Sequence, residues 1–370
     1  MPELGDLKIR ISIRKDLAEM AVLYVGSYTQ GIDGALTGSE GIYAFHLNEG
    51  TGVVSLLQTV KNVTNPSFLA YHNGHLYACE ELPDKAMVVA YKRNSNGTIE
   101  ELNRKEARGA AACHISVHPF KSLAIVSNYV SGNILSFSLR EDGGIGALCD
   151  DRQHTGHGTD AVRQEQQHTH SATVEPCGRY AAVADLGQDR VFLYDFDAEG
   201  RFRLCGNPIV VPDGEGPRHI AFSSDSAHAY LVTEMGNHVL HYTCRNMEWE
   251  LVQTLPILPE DFERTPLVLA ADIHVSPDEK FVYASNRGWN GITAYHRNAD
   301  GQLSLCGRYQ CGGEWPRNFC ISPDGAWIVV ANQNSGTMTL LPRNCETGEL
   351  RASVREVQVP QAVCVLWTEN

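Results

Sequence analysis

The chain contains few positively charged residues relative to its negatively charged ones. Lysine and arginine total 30 against 44 aspartate and glutamate residues, which gives a formal net charge of -14 at pH 7. An acidic balance of this size argues against non-specific nucleic-acid binding. If the protein binds a small anion, binding requires a local cluster of Arg, Lys or His, because the net negative charge of the chain repels anions.

Paired cysteines and long apolar runs are also missing. None of the 11 cysteines belongs to a C-x-x-C pair, a pattern typical of reduced thiols in a cytoplasmic protein. No apolar run reaches membrane-spanning length, and residues 1–20 contain no signal-peptide core. We therefore expect a cytoplasmic protein without a membrane partner, in which residues 1–20 form an N-terminal extension.

What the sequence does contain is a repeat. Seven segments share one plan, in which an apolar strand and a turn lead to a second strand that ends in a polar corner. A third strand and a Gly-containing hairpin then lead to a short fourth strand. The corners recur about every 50 residues, at 26–28, 79–81, 127–129, 184–186, 233–235, 285–287 and 331–333.

Four strands per unit and this period predict an all-β fold, a seven-bladed β-propeller with four-stranded antiparallel blades. The first repeat lacks an opening strand, whereas residues 360–366 supply an additional one near the end of the chain. We expect this C-terminal strand to join the first blade and close the ring, because closure removes an open sheet edge. Residues 21–370 are therefore predicted to form a single propeller domain.

A propeller also predicts where the function is located. The start of each first strand and the end of each second strand face one end of the central channel, so residues at these places meet although they are distant in sequence. Charges crowded at a channel mouth need partners, water or a ligand, which favours a functional site. The polar residues at these places include His170, Arg218, His219, Glu234, Asp272, His274, Asn286, Arg287, Arg317 and Gln333.

The order of motifs along the chain resembles the lactonase family of seven-bladed propellers. The resemblance covers about residues 23–367, and the segment 252–274 is similar to the 6-phosphogluconolactonase branch of that family. It implies a lactone hydrolase that acts on 6-phosphogluconolactone in the pentose phosphate pathway, without a cofactor. The motifs include 156–158, 164–165, 168–171, 185–190, 214–219, 233–234, 271–274, 285–287 and 316–317.

The family implies a site of one His, two Arg and one Glu, which by motif are His170, Arg218, Glu234 and Arg287. Lactone hydrolysis passes through a tetrahedral oxyanion, so either Arg is expected to donate hydrogen bonds to it or to clamp a substrate phosphate or carboxylate. We expect His170 to take a proton from the attacking water, because imidazole titrates near neutrality. Glu234 then orients a neighbouring Arg or the sugar. The expected additional substrate contacts are His168, His219, His274 and Arg317.

Structural interpretations of the same residues stay open at this stage. Arg218 and Glu234 also fit a structural salt bridge, because ion-pair networks produce clustered charges too. His154 and His157, together with His168 and His170, could suggest a metal site. Metal sites usually add carboxylates or thiolates at close spacing and a supporting set of residues around the ligands, and here His154 and His157 lie in a long Gly/Gln-rich loop. We therefore predict no metal.

Two alternative functions remain. A cycloisomerase that lactonises a carboxylated muconate would use the same Arg clamp and acid/base pair in the reverse sense. A scaffold that binds protein partners is the other, although none of the five tryptophans is followed by the Asp of the usual scaffold repeat. Substrate assays separate the two enzymes, and a smooth, uncharged channel mouth would favour the scaffold.

Overall fold

The computed structural model describes residues 20–31, 37–245 and 247–368. Blade 1 begins with β1 (Met20–Ser27), β2 (Ile42–Asn48) and β3 (Val53–Val60). Blade 2 consists of β4 (Pro66–His72), β5 (His75–Glu81), β6 (Ala86–Arg93) and β7 (Ile99–Ala107). Blade 3 consists of β8 (Ala112–Val117), β9 (Leu123–Asn128), β10 (Asn133–Leu139) and β11 (Ile145–Gln153).

The second half of the chain follows the same plan. Blade 4 consists of β12 (Thr169–Val174), β13 (Ala181–Asp185), β14 (Arg190–Phe196), β15 (Phe202–Leu204) and β16 (Ile209–Val210). Blade 5 consists of β17 (Pro217–Phe222), β18 (His228–Thr233), β19 (His238–Arg245) and β20 (Glu248–Pro256). Blade 6 consists of β21 (Leu269–Val275), β22 (Phe281–Arg287), β23 (Gly291–Arg297) and β24 (Leu303–Gln310). Blade 7 consists of β25 (Pro316–Ile321), β26 (Trp327–Asn332), β27 (Thr337–Pro342) and β28 (Arg355–Gln358), and β29 (Ala362–Thr368) follows it.

The predicted seven-bladed, antiparallel architecture is confirmed. Within the described residues the one helical element is a 3-10 turn at Leu186–Gln188. Blade 4 departs from the plan because its outer strand is split into β15 and β16, which both pair with β14. Gly206, at φ +69°, and Pro208, which has no amide hydrogen, lie in the gap, and both interrupt regular strand pairing.

Ring closure by the C-terminal strand is also confirmed. β29 pairs antiparallel with β1 and is the innermost strand of blade 1, so the sheet order is β29-β1-β2-β3. The innermost strands of neighbouring blades contact each other all the way round, with β29 seated between β25 and β4. This arrangement leaves no gap in the ring.

The predicted domain boundaries are only partly described. The proposed extension, residues 1–20, lies outside the described residues except for Met20, which begins β1. The assignment of residues 21–370 to one domain stays a prediction. A search of the described residues finds no helix with the length and apolar character needed to cross a membrane.

The hydrophobic core is divided among the blade interfaces. Seven clusters of buried side chains are present, and each contains residues from two adjacent blades. Blades 1 and 7, for example, share a cluster that includes Leu23 and Val329. Since no cluster belongs to one blade alone, the apolar burial that stabilises the fold depends on the blades packing together.

A repeated tyrosine hydrogen bond links neighbouring blades. In blade 2 the buried Tyr77 hydroxyl donates to the carbonyl of Gly143, which lies in the β10–β11 hairpin of blade 3, at 3.0 Å. Gly143 has φ +82°, a conformation that favours glycine over other residues. The predicted Gly hairpins therefore also serve as acceptors between blades. Equivalent bonds join Tyr24 to Gly97, Tyr230 to Gly301 and Tyr283 to Gly348.

We predict that Tyr77→Phe lowers the free energy of unfolding by about 1 kcal/mol, because it removes this bond and leaves a buried carbonyl without its donor. Urea denaturation followed by tryptophan fluorescence measures the change. Tyr91→Phe in the same blade is the matched control: Tyr91 is fully buried, and its hydroxyl has no hydrogen-bond partner among the described residues. Equal destabilisation by both substitutions would contradict a role for the interblade bond.

Candidate active site

A cavity of about 330 Å³ opens at one end of the central channel. Its walls come from blades 2 to 7 and from the loop between blades 3 and 4, as expected for residues at strand starts and corners. The lining residues are Glu81, Cys113, Tyr129, Arg163, His170, Glu234, Leu269, Arg287 and Arg317.

Glu234 is the centre of the charge cluster. Its Oε2 accepts hydrogen bonds from Arg218 Nε at 3.0 Å and from Arg287 Nη2 at 2.7 Å. Its Oε1 accepts a hydrogen bond from Arg163 Nη2. Only about 4% of Glu234 is exposed, so three guanidinium groups share one buried carboxylate. The four residues predicted to be catalytic lie together, while their roles in catalysis stay predictions.

The chain before Arg218 is shaped by tight turns. Gly216 adopts φ +63°, and its amide donates to Asp189 Oδ1 at 2.7 Å. Asp189 Oδ2 accepts the Gly214 amide at the same distance. These bonds fix the loop that ends at Pro217, the first residue of β17. The next residue, Arg218, is thereby buried beside Glu234.

Backbone carbonyls of blade 6 hold the two buried arginines in place. Arg218 Nη1 donates to the carbonyl of Ala271, and Arg287 Nη2 donates to the carbonyl of Ala270 at 2.9 Å. The Nε atom of Arg287 is buried and has no hydrogen-bond partner among the described residues. Arg287 lines the cavity and also carries a buried donor that no described residue uses.

His170 lies at the edge of this cluster. Its Nε2 is 3.9 Å from Glu234 Oε2, and its Nδ1 is buried without a hydrogen-bond partner in the described part of the chain. Burial, reinforced by the positive charge of Arg218, holds the pKa of His170 well below the ordinary 6.5. The imidazole is thus neutral at pH 7 and able to accept a proton.

The carboxylate and the arginines keep their charges. Although burial opposes ionisation of Glu234, Arg287 and Arg218 hold its pKa well below the usual range. Burial lowers the pKa of Arg287 to about 10 despite the attraction of Glu234, so Arg287 remains protonated at neutral pH. A deprotonated Glu234 that already accepts three hydrogen bonds is a weak base, which favours His170 for proton transfer.

A second carboxylate faces the cavity from blade 2. Glu81 Oε2 accepts a hydrogen bond from Tyr28 at 2.8 Å, and the Arg317 guanidinium lies over the Tyr28 ring, 5.4 Å from its centroid. Burial opposes the charge of Arg317, but Tyr28 and Glu81 outweigh it and raise its pKa. No carboxylate in the described residues lies within ion-pair distance of Arg317, so its donors are available to a ligand.

The expected contact His168 lies behind the cavity wall. It stacks on the Tyr129 ring with centroids 4.5 Å apart, and its Nδ1 is 2.9 Å from the Tyr129 carbonyl. Tyr129 also meets the edge of His170, at 5.5 Å between centroids. His168 therefore supports the wall beside His170, and its contact with substrate stays a prediction.

The other two expected contacts, His219 and His274, lie around Asp272 and are not among the lining residues of the cavity. The carboxylate of Asp272 is 2.7 Å from His219 Nδ1 and 2.9 Å from His274 Nε2. The opposite nitrogen of His219 lies 3.2 Å from Arg218 Nη1. This network places His219 against Arg218, while substrate contact by either histidine stays a prediction.

In the structure, His154 and His157 each have a protein partner. His154 Nδ1 lies 2.7 Å from Asp185 Oδ2, and its Nε2 lies 3.0 Å from the Tyr194 hydroxyl. His157 is exposed, and its Nδ1 lies 3.0 Å from the Gly158 carbonyl. Across the described residues there is no group of three or more His, Cys, Asp or Glu side chains suited to a metal ion.

Five cavity residues were not among the predicted site residues: Glu81, Cys113, Tyr129, Arg163 and Leu269. Glu81 and Tyr129 occupy the last position of their corners, the place that Arg287 occupies in its own corner. The repeat could therefore have identified Glu81 and Tyr129 as site residues. Arg163 lies in the loop between blades, where no repeat position identifies it, but it directly precedes the Gln164-Glu165 motif.

Comparison with known proteins identifies the family. The family model Lactonase, 7-bladed beta-propeller, matches residues 22–367. The chain is 34% identical over 348 residues to 6-phosphogluconolactonase of Bacillus subtilis, covering 92% of this chain and 97% of the relative. It is 32% identical over 348 residues to 6-phosphogluconolactonase of Formosa agariphila, covering 91% of this chain and 96% of the relative.

A solved structure agrees with these relatives. The periplasmic gluconolactonase of Pseudomonas aeruginosa superposes with a TM-score of 0.86 at 26% identity, covering 94% of this chain and 99% of that one. The resemblance inferred from the motifs is thereby confirmed over nearly the whole chain. The protein belongs to the lactonase family of seven-bladed β-propellers.

Proposed function

We propose that this protein is a lactone hydrolase that converts 6-phosphogluconolactone to 6-phosphogluconate, a step of the pentose phosphate pathway. The observation that carries the proposal is the buried His170, with Nε2 3.9 Å from Glu234 Oε2, in one cavity with the guanidinium groups of Arg287 and Arg317. Relatives at 34% and 32% identity named for this activity support the choice of substrate.

The attacking group in this mechanism is water. His170 takes a proton from the water as its oxygen bonds to the lactone carbonyl carbon, and the resulting imidazolium is stabilised by Glu234 at 3.9 Å. When the tetrahedral intermediate collapses, the bond from that carbon to the ring oxygen breaks. The proton then passes from His170 to the departing ring oxygen, which becomes the hydroxyl of the open-chain acid.

Negative charge develops on the carbonyl oxygen during this reaction. Arg287 lines the cavity, and its guanidinium is held in place by Glu234 and the Ala270 carbonyl. Fixed donors of this kind stabilise an oxyanion far better than mobile water does. The Cys113 thiol also lines the cavity, but burial raises its pKa, so it stays protonated and is a poor nucleophile. Direct attack by water is therefore the favoured route.

The overall charge of the site suits an anionic substrate. Four arginines, numbers 163, 218, 287 and 317, outnumber the two carboxylates Glu81 and Glu234 around the cavity. This local excess of positive charge lies in a chain whose formal net charge is -14. A phosphorylated lactone matches it, and the crowded charges speak against a smooth scaffold surface.

We also propose a cytoplasmic location, where the pathway substrate is formed. All eleven cysteines are free thiols, as expected in a reducing compartment. Fractionation of cells that express the full chain tests this proposal, and recovery in the periplasm, where the Pseudomonas aeruginosa relative acts, would overturn it.

We predict that His170→Gln lowers kcat for 6-phosphogluconolactone by about 100- to 10,000-fold, because glutamine cannot accept the proton of the attacking water. Product formation above the spontaneous rate is the measurement, with a carboxylated muconate assayed in parallel to test the lactonising alternative. His296→Gln is the control, since His296 is an exposed residue of β23 outside the cavity. Full activity in the His170 variant would remove His170 from the mechanism.

The pH profile provides a separate test. A base must be deprotonated to work, so activity is lost only as the pH falls through the pKa of His170, which lies well below 6.5. We expect kcat/KM, which reports the free enzyme, to stay level from pH 8 to pH 6.5 and to decline only in more acidic buffers. A decline centred near pH 6.5 or above would show that an ordinary imidazole, or another group, limits the rate.

A further inference from the structure

Arg163 differs from the other two arginines that bind Glu234. The side chains of Arg218 and Arg287 are 3% and 4% exposed, whereas that of Arg163 is 33% exposed and reaches Glu234 from the cavity mouth. The buried pair also donates to backbone carbonyls of blade 6. The partners of the Arg163 guanidinium among the described residues are Glu234 and, at 3.4 Å, the Tyr129 hydroxyl.

The backbone that carries Arg163 is rigidly held. Asp160 Oδ1 accepts the amides of Val162 and Arg163, both at 2.9 Å. The neighbouring Gln164 is fully buried, and its side-chain Nε2 donates to the Leu186 carbonyl at 2.9 Å. The base of the side chain is therefore fixed while its charged end is exposed, an arrangement that permits a change of partner without movement of the loop.

Glu234 does not depend on Arg163 for its charge balance. Oε2 already accepts two guanidinium groups, and Arg163 occupies Oε1 alone. An incoming phosphate carries more negative charge than this carboxylate and offers three acceptor oxygens. It can therefore compete with Oε1 for the exposed guanidinium.

We propose that Arg163 is the receptor for the anionic substituent of the substrate and exchanges Glu234 Oε1 for it on binding. This inference rests on the proposed function. The reacting carbonyl must lie deep in the cavity, next to His170 and Arg287, so the substituent at the far end of the lactone lies toward the mouth. Burying a phosphate is costly, and Arg163 meets it where water still reaches.

Two consequences follow from the exchange. The ion pair between Arg163 and Glu234 keeps the guanidinium in position before substrate arrives, which reduces the ordering cost of binding. Once Arg163 has moved to the substrate, Oε1 of Glu234 is left as a free acceptor for a sugar hydroxyl. Lactones that carry an anionic group are thus selected over neutral lactones with the same ring.

The test compares 6-phosphogluconolactone with glucono-δ-lactone, which has the same ring without phosphate. We expect Arg163→Gln to reduce the ratio of the two kcat/KM values by about 10- to 100-fold, mainly through a higher KM for the phosphorylated substrate. Arg163→Lys, which keeps the charge but not the guanidinium geometry, should lose less. Arg201→Gln, on the exposed β14–β15 hairpin, should leave the ratio at the wild-type value.

Two outcomes would overturn the proposal. One is an unchanged ratio in Arg163→Gln, and if both lactones lose activity equally, that result indicates a structural role. The other is that Arg317→Gln, and not Arg163→Gln, abolishes the preference, because Arg317 also lines the cavity and has no ion-pair partner among the described residues.

Failure of the proposed function is distinguishable from these outcomes. It appears as a wild-type protein that hydrolyses neither lactone. In that case calorimetry of 6-phosphogluconate and gluconate binding to wild type and Arg163→Gln decides the inference independently. Weaker binding of 6-phosphogluconate alone in the variant supports the anion receptor, and equal binding by the two proteins rejects it.

Discussion

One buried carboxylate, Glu234, determines whether the charged mouth of this propeller is stable. Buried guanidinium groups are tolerated only when a counter-charge accompanies them, and Glu234 accepts Arg163, Arg218 and Arg287 at once. These arginines come from three separate parts of the chain and are brought within reach of one residue by the ring. The same contacts keep Glu234 ionised beside a neutral His170, which is the proton acceptor of the proposed mechanism. Structure and proposed chemistry therefore depend on a single ion-pair network.

The fold could be predicted from the sequence because each of its parts is local. Strand alternation, turn residues and Gly hairpins recur with one period, and the surplus strand at residues 360–366 indicated ring closure. The predicted strand at residues 360–366 is displaced by two residues, because β29 spans Ala362–Thr368. The split outer strand of blade 4 was missed because Gly206 and Pro208, which interrupt it, are a local feature that is not part of the repeat.

The site was only partly predictable. His170, Arg218, Glu234 and Arg287 stand at repeat positions that converge, and the structure brings them together. Glu81 and Tyr129 stand at the same repeat position as Arg287, so comparing all seven corners would have found them. The lining of the cavity was harder to predict, because the sequence does not show which side chains at the channel mouth reach the cavity. His219 and His274 were expected as additional substrate contacts, yet the structure places them around Asp272.

Blade 1 is assembled from both ends of the described chain, three strands from the beginning and β29 from the end. During translation the first three strands emerge long before their innermost partner. Until β29 leaves the ribosome, the inner edge of β1 has no native strand to pair with, and a sheet edge of this kind is prone to pair with other chains. The ring therefore closes only after all seven blades have been synthesised. Until then the nascent chain must stay protected from aggregation.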